Sequence, residues 1–117
     1  MSVALLTITH NGIGQSIVGA AESILGPQPM PIRHSTFHAE DNVERFEAAV
    51  AEAMAALDGG AGVLVLTDLY GSTPCNIARR LAPMHHVRVL SGLSLPMVLR
   101  VFTYARLDLD ELARRAS

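Results

Sequence analysis

The chain has 117 residues, half of them hydrophobic, and a formal net charge of −2. This length and hydrophobic content fit one packed domain over residues 1–117, without a linker, an internal repeat or global disorder. The charge gives no electrostatic footprint for nucleic acid or an anionic membrane surface, and no apolar run reaches the roughly 18 residues of a membrane span. We therefore predict no nucleic-acid partner and no direct membrane insertion.

The cysteine content and the N-terminus favour a cytoplasmic protein. Cys75 is the only cysteine, so an internal disulfide is impossible and a reducing compartment is suitable. We expect this side chain to fill a small apolar space in the core. The sequence begins MSVALL, without the basic segment that precedes the apolar stretch of a signal peptide.

Hydrophobic spacing divides the chain into alternating strands and helices. Short continuous apolar runs indicate strands that are buried on both faces, and apolar residues at intervals of three and four indicate amphipathic helices. In chain order the pattern predicts strand 3–9, helix 13–25, strand 31–37, helix 43–57, strand 63–67, helix 74–81, strand 87–90, helix 95–104 and helix 107–116. Asp41 or Asn42 caps the second helix, and Ser94 or Leu95 opens the fourth.

This order of elements predicts an α/β fold. Four strands joined by helices imply a parallel sheet with helices on both faces, which is a doubly wound three-layer sandwich. The strand at residues 31–37 contains a proline and several polar residues, so we expect it near an edge of the sheet. In such sheets, ligands and catalytic groups collect at the carboxyl ends of the strands.

Two polar side chains follow the first and third candidate strands, at this functional edge. His10 follows the first strand, and Asp68 follows the third. If these strands are adjacent, the carboxylate fixes the tautomer and orientation of the imidazole and leaves the other ring nitrogen free as a nucleophile. It also stabilises the cationic ring that forms as phosphate leaves. His10 and Asp68 are therefore our candidate catalytic residues.

The segment after Asp68 is suited to binding a phosphate group. Thr73 is a good helix N-cap and Pro74 is favoured at the first helical position. The amides of Gly71, Ser72 and Thr73 would then face the same edge, where a helix N-terminus attracts anions and the two hydroxyls add donors. Taken singly, the histidine, the acid and the loop each fit an ordinary turn or cap. Their coincidence at one edge favours a phosphoryl-transfer site.

Three segments carry a resemblance to a known family, namely residues 5–26, 63–78 and 89–97. They resemble the mannose-type IIA domains of the bacterial phosphoenolpyruvate-dependent sugar phosphotransferase system, and the segment VLVLTDLYGSTPCNIA is the most diagnostic. Order and spacing match over nearly the whole chain. Three positions depart from the family pattern: Asn11 stands where glycine usually follows the histidine, Ser72 replaces a glycine of the loop, and Ser94 stands where members often have asparagine.

The resemblance implies a phosphotransferase that works through a phosphohistidine. His10 would accept phosphate from the histidine-containing phosphocarrier protein and pass it to a IIB component. Asp68 would hydrogen-bond the far ring nitrogen, and Gly71, Ser72 and Thr73 would surround the phosphate. The resemblance also implies the sheet order 2-1-3-4 and a homodimer. We expect neither a metal nor a cofactor, because alignment and charge stabilisation suffice for such a transfer.

Two other classes of function remain as alternatives. In the first, the protein is a stand-alone regulatory module whose phosphorylation state at His10 controls protein partners without sugar transport. In the second, it is a small-ligand-binding doubly wound domain. A receiver domain would need an acidic cluster after the first strand, and a flavodoxin would need aromatic residues to stack the flavin. The chain has no tryptophan and only two tyrosines, which weighs against flavin binding.

Two weaker motifs are interpreted as structural. Residues 12–17 resemble a dinucleotide-binding fingerprint but lack its third glycine, which favours a plain turn from strand to helix. His34 and His38, like His85 and His86, have no cysteine or acid at the spacing of metal ligands. We therefore expect solvated polar histidines rather than a zinc site.

Overall fold

The computed structural model describes residues 2–117 as one four-stranded sheet flanked by helices. The strands are β1 (Ala4–His10), β2 (Ile32–Phe37), β3 (Val63–Thr67) and β4 (Val87–Leu90). The helices are α1 (Ile13–Leu25), α2 (Val43–Leu57), α3 (Thr73–Leu81), α4 (Leu95–Thr103) and α5 (Leu109–Ala116), with a short 3₁₀ turn at Ala82–Met84. Each predicted element is present, and its ends lie within two residues of the predicted ones. Across residues 2–117, no helix has both the length and the apolar character needed to span a bilayer.

The four strands run parallel in the order β2-β1-β3-β4, with β1 between β2 and β3. Leu5 of β1 pairs with Ile32 on one side and with Leu64 on the other. Every residue of β3 is buried, and so is every residue of β1 except His10. This burial explains the continuous apolar runs of the sequence. The pairing of the strands confirms the predicted parallel sheet, its order and the edge position of the second strand.

Helices cover both faces of the sheet and form two hydrophobic layers. Side chains of α1, α4 and α5 pack on the face that carries Leu5 and Leu66, and those of α2 and α3 pack on the face that carries Leu6 and Val65. The doubly wound three-layer architecture is therefore confirmed. Cys75 is buried at the start of α3, as expected for a packing role.

Gly14 allows α1 to lie directly against β1. A Cβ atom at Gly14 would come within 2.2 Å of the Thr7 hydroxyl oxygen. That hydroxyl is also hydrogen-bonded to His34 Nδ1 at 2.7 Å. Burial holds the pKa of His34 below its ordinary value, although Glu22 opposes the shift. The sequence predicts a solvated His34, but the residue is half-buried, because the register of β1 and β2 places it beside Thr7.

The last helix begins two residues later than its apolar spacing suggests. The side chain of Asp108 accepts a hydrogen bond from the Glu111 amide at 3.0 Å and caps α5, which begins at Leu109. The Leu107 amide instead donates to the Tyr104 carbonyl at 3.0 Å, in a turn that follows α4. The cap, rather than the apolar pattern, therefore determines where this helix begins.

We expect Gly14→Ala to lower the free energy of unfolding by about 2 kcal/mol or more, because α1 and β1 would have to move apart. Gly19→Ala is the matched control, since it lies in the same helix and a Cβ there would meet no atom within 4 Å. The control should be neutral or stabilising by up to about 1 kcal/mol. Urea unfolding followed by circular dichroism measures both effects, and equal effects would contradict this account.

Candidate active site

His10 is the last residue of β1 and stands at the carboxyl edge of the sheet, with 36% of its side chain exposed. Asn11 and Gly12 follow it with φ values of 42° and 77°, and this left-handed pair turns the chain into α1. Asparagine and glycine are the residues that tolerate such angles. Thr9 supplies the missing helix cap, because its hydroxyl oxygen accepts a hydrogen bond from the Gly14 amide at 3.0 Å.

The structure brings His10 and Asp68 together through two hydrogen bonds to one carboxylate oxygen. Asp68 Oδ2 lies 2.8 Å from His10 Nδ1 and 3.0 Å from the His10 backbone nitrogen. A carboxylate can only accept, so in the neutral imidazole Nδ1 carries the proton and Nε2 keeps a free lone pair. The arrangement orients the imidazole and leaves one basic nitrogen at the edge of the sheet.

Asp68 is a mostly buried anion, with 11% of its side chain exposed. Burial alone would raise its pKa, but the hydrogen bonds from the His10 amide and ring outweigh burial and hold the pKa below its ordinary value. The second carboxylate oxygen, Oδ1, and the hydroxyl of Thr67 are buried without a hydrogen-bond partner in the described part of the chain. Asp68 therefore remains ionised near neutral pH and keeps spare acceptor capacity.

An aromatic wall, which sequence reasoning missed, borders the imidazole. The Phe37 ring meets the His10 ring edge to face, with centroids 6.3 Å apart, and Phe46 of α2 packs on Phe37 at 5.1 Å. Phe37 ends β2 and pairs with His10 in the register. An aromatic residue at the end of the second predicted strand was the available signal. It becomes informative only when β2 is known to lie beside β1.

The predicted phosphate loop forms a tight turn between β3 and α3. Gly71 adopts a left-handed φ of 83°. The cap of α3 is Ser72 rather than the predicted Thr73, which is the first helical residue. The Ser72 hydroxyl does not cap the helix but donates to the Leu69 carbonyl at 2.7 Å. The extended backbone of Ser72 (φ −77°, ψ 169°) explains the one-residue difference, because it places the cap before Thr73.

This turn presents unpaired backbone donors. The Gly71 and Thr73 amides have no hydrogen-bond partner within residues 2–117, and Asn76 Nδ2 steadies the turn by donating to the Gly71 carbonyl at 3.1 Å. Gly71 follows Asp68 by three residues, so their Cα atoms lie at most about 11 Å apart. The positive end of the α3 dipole adds to the attraction for an anion. In the same described region, no three His, Cys, Asp or Glu residues lie close enough to hold a metal ion.

Comparison with known proteins identifies the family. A family model described as PTS system fructose IIA component (EIIA-man) matches residues 4–117. The chain belongs to this mannose-type IIA family. The three similar segments found in the sequence lie within the matched range, so the resemblance is confirmed for nearly the whole chain.

Individual relatives of this IIA domain show the same similarity. The mannose-specific EIIAB component of the PTS system of Escherichia coli K12 is 31% identical over 103 residues, which cover 84% of this chain and 30% of that protein. The chain thus spans less than a third of the length of the curated relatives it matches.

Solved structures agree with this IIA fold. The mannose/sorbose-specific IIA subunit from Enterococcus faecalis superposes with a TM-score of 0.85 at 27% identity, covering 99% of this chain and 87% of that chain. The EIIA component from Streptococcus agalactiae also has a TM-score of 0.85, at 24% identity, covering 97% of this chain and 88% of that chain. The second similarity concerns the fold alone.

We expect Asp68→Asn to destabilise the protein by about 1–3 kcal/mol near neutral pH, because it removes a charged acceptor of two hydrogen bonds. The folded pKa of Asp68 is depressed, so this stabilisation is complete above the ordinary Asp pKa of about 3.9 and is lost as pH falls through the folded value. The difference in unfolding free energy between wild type and variant should therefore shrink below about pH 4.

Urea unfolding at a series of pH values measures this difference. Asp110→Asn serves as the exposed control, because its ion pair with Arg88 lies at the surface and should contribute no more than about 1 kcal/mol. A difference that persists unchanged into strong acid would contradict the assigned hydrogen bonds.

Proposed function

We propose that this chain carries a phosphoryl group on Nε2 of His10, taking it from the phosphohistidine of the phosphocarrier protein and passing it to a IIB component. The observation that carries the proposal is the 2.8 Å contact between His10 Nδ1 and Asp68 Oδ2. In the neutral imidazole this contact places the proton on Nδ1 and leaves the Nε2 lone pair at a partly exposed strand end. Membership in the mannose-type IIA family supports a role in phosphotransfer within the same system.

The histidine neither gains nor loses a proton during the transfer. The Nε2 lone pair of His10 attacks phosphorus as the nitrogen–phosphorus bond of the donor breaks, and that electron pair returns to the donor ring. His10 keeps its Nδ1 proton, so the phosphorylated ring is cationic, and the Asp68 carboxylate balances this charge. Passing the group to the next protein reverses the step, and the lone pair returns to Nε2.

The turn at residues 71–73 would stabilise the phosphoryl oxygens. The unpaired amides of Gly71 and Thr73 and the positive end of α3 are suited to a group whose charge spreads over three oxygens. The Ser72 hydroxyl would have to leave the Leu69 carbonyl to contribute a third donor. No metal or cofactor enters the proposed step, because preorganised donors and alignment supply the stabilisation.

The proposed partners follow from the family and from one relative. The Escherichia coli protein is named as a mannose-specific EIIAB component, which supports a IIB acceptor for this chain. The proposal places the chain in the cytoplasm, within the sugar phosphotransferase system. The homodimer stays a prediction from the family resemblance.

We expect His10→Ala to abolish labelling by radioactive phosphoenolpyruvate in the presence of the general phosphotransferase enzyme and the carrier protein. His38→Ala is the matched control, because His38 also faces a carboxylate, that of Asp41 at 3.5 Å, on an exposed loop. The control should be labelled like the wild type. Autoradiography of the three proteins measures this, and labelling of His10→Ala would refute the assignment.

A further inference from the structure

Two large apolar side chains lie exposed in the connection that follows Asp68. Leu69 is 62% exposed and Tyr70 is 67% exposed. Single exposed apolar residues are common, but two consecutive ones beside a reactive group form a surface suited to binding another protein. Both lie at the carboxyl edge of the sheet, where a partner has to approach to reach His10.

Arg79 holds the Tyr70 ring in place. Its Nη1 donates a hydrogen bond to the Tyr70 hydroxyl at 2.7 Å, and its guanidinium carbon lies 5.0 Å from the ring centroid. A side chain that is already held loses less conformational entropy on binding. Tyrosine and arginine are also the residue types that most often dominate binding energy at protein interfaces.

The charge of Arg79 is available to a partner. The neighbouring Arg80 is paired with Glu47 at 2.6 Å, whereas Arg79 has no carboxylate within 4 Å among residues 2–117. A guanidinium that bonds only a neutral hydroxyl keeps N–H donors free to bind a carboxylate. The surface around Arg79 therefore favours the binding of an acidic group from a partner.

A cleft of about 370 Å³ opens behind Tyr70, between α3 and β4. Tyr70, Cys75, Arg79 and Ser91 are among the residues that line it. This volume is large enough to receive a side chain of a second protein. Ser91 follows β4, so the cleft reaches the same edge of the sheet as His10.

We propose that Leu69, Tyr70, Arg79 and this cleft form the docking surface for the protein that delivers the phosphoryl group. The partner segment would place an apolar side chain against Leu69 and Tyr70 and a carboxylate on Arg79. This inference rests on the proposed function at His10. It assigns the binding of the donor protein to residues that take no part in the phosphoryl chemistry.

The experiment compares two phosphoryl donors of different size. The phosphorylated carrier protein has to dock, whereas phosphoramidate is a small molecule that transfers its phosphoryl group to histidine with loss of ammonia. The rates of His10 phosphorylation with each donor are measured for Tyr70→Ala, Arg79→Glu and Met84→Ser. Met84 is the matched control, because it is 69% exposed and precedes β4 at the opposite edge of the sheet.

The ratio of the carrier rate to the phosphoramidate rate should fall at least about tenfold for Tyr70→Ala and for Arg79→Glu. It should stay within about twofold of the wild type for Met84→Ser, whose side chain lies outside the surface. Tyr70→Phe keeps the ring but loses the hydroxyl that Arg79 holds, so its ratio should fall less than that of Tyr70→Ala. The effect of Arg79→Glu should weaken as ionic strength rises.

An unchanged ratio in both variants overturns the docking surface while leaving phosphorylation of His10 intact. Equal losses with both donors also overturn it, because Tyr70 and Arg79 would then act on His10 itself. If neither donor labels the wild-type protein, the proposed function fails and the docking surface fails with it. Circular dichroism checks that each variant is folded, and Arg79→Gln replaces Arg79→Glu should the charge reversal unfold the chain.

Discussion

A single carboxylate oxygen, Oδ2 of Asp68, accepts hydrogen bonds from both the backbone and the ring of His10. The backbone bond continues the contact between β1 and β3 beyond the end of the sheet. The ring bond fixes the tautomer and directs the free nitrogen outward. Because both bonds end on one atom, the position of the ring depends on the pairing of the two central strands. The chemistry at Nε2 therefore depends on the rigidity of the core.

The buried layers on both faces provide that rigidity. β1 and β3 lie between two hydrophobic clusters, so neither strand can shift without exposing apolar side chains on both sides. The close approach of α1 at Gly14 and the cap supplied by Thr9 fix the other end of the turn that holds His10. The turn at residues 71–73 and the exposed tip at Tyr70 extend from this fixed frame, where a partner can reach them.

Much of this fold follows from local patterns in the sequence. Continuous apolar runs predict the central strands, and the alternation of elements predicts a parallel sheet with its functional edge. What the pattern does not contain is packing between segments far apart in the chain. His34 is half-buried because it pairs across to Thr7, and Phe37 borders His10 because β2 is adjacent to β1. The cap of α3 falls at Ser72 because the backbone there is extended, and residue spacing alone does not predict this conformation.

The left-handed φ of Asn11 explains why this position can differ from the glycine usual in the family. What the site requires there is a backbone angle, and asparagine meets that requirement at little steric cost. Asparagine in place of glycine is a substitution directly beside His10, yet the path of the backbone is preserved. For position 11, similarity should be measured by the conformations that a residue allows, so valine or isoleucine would be a larger departure than the polar asparagine.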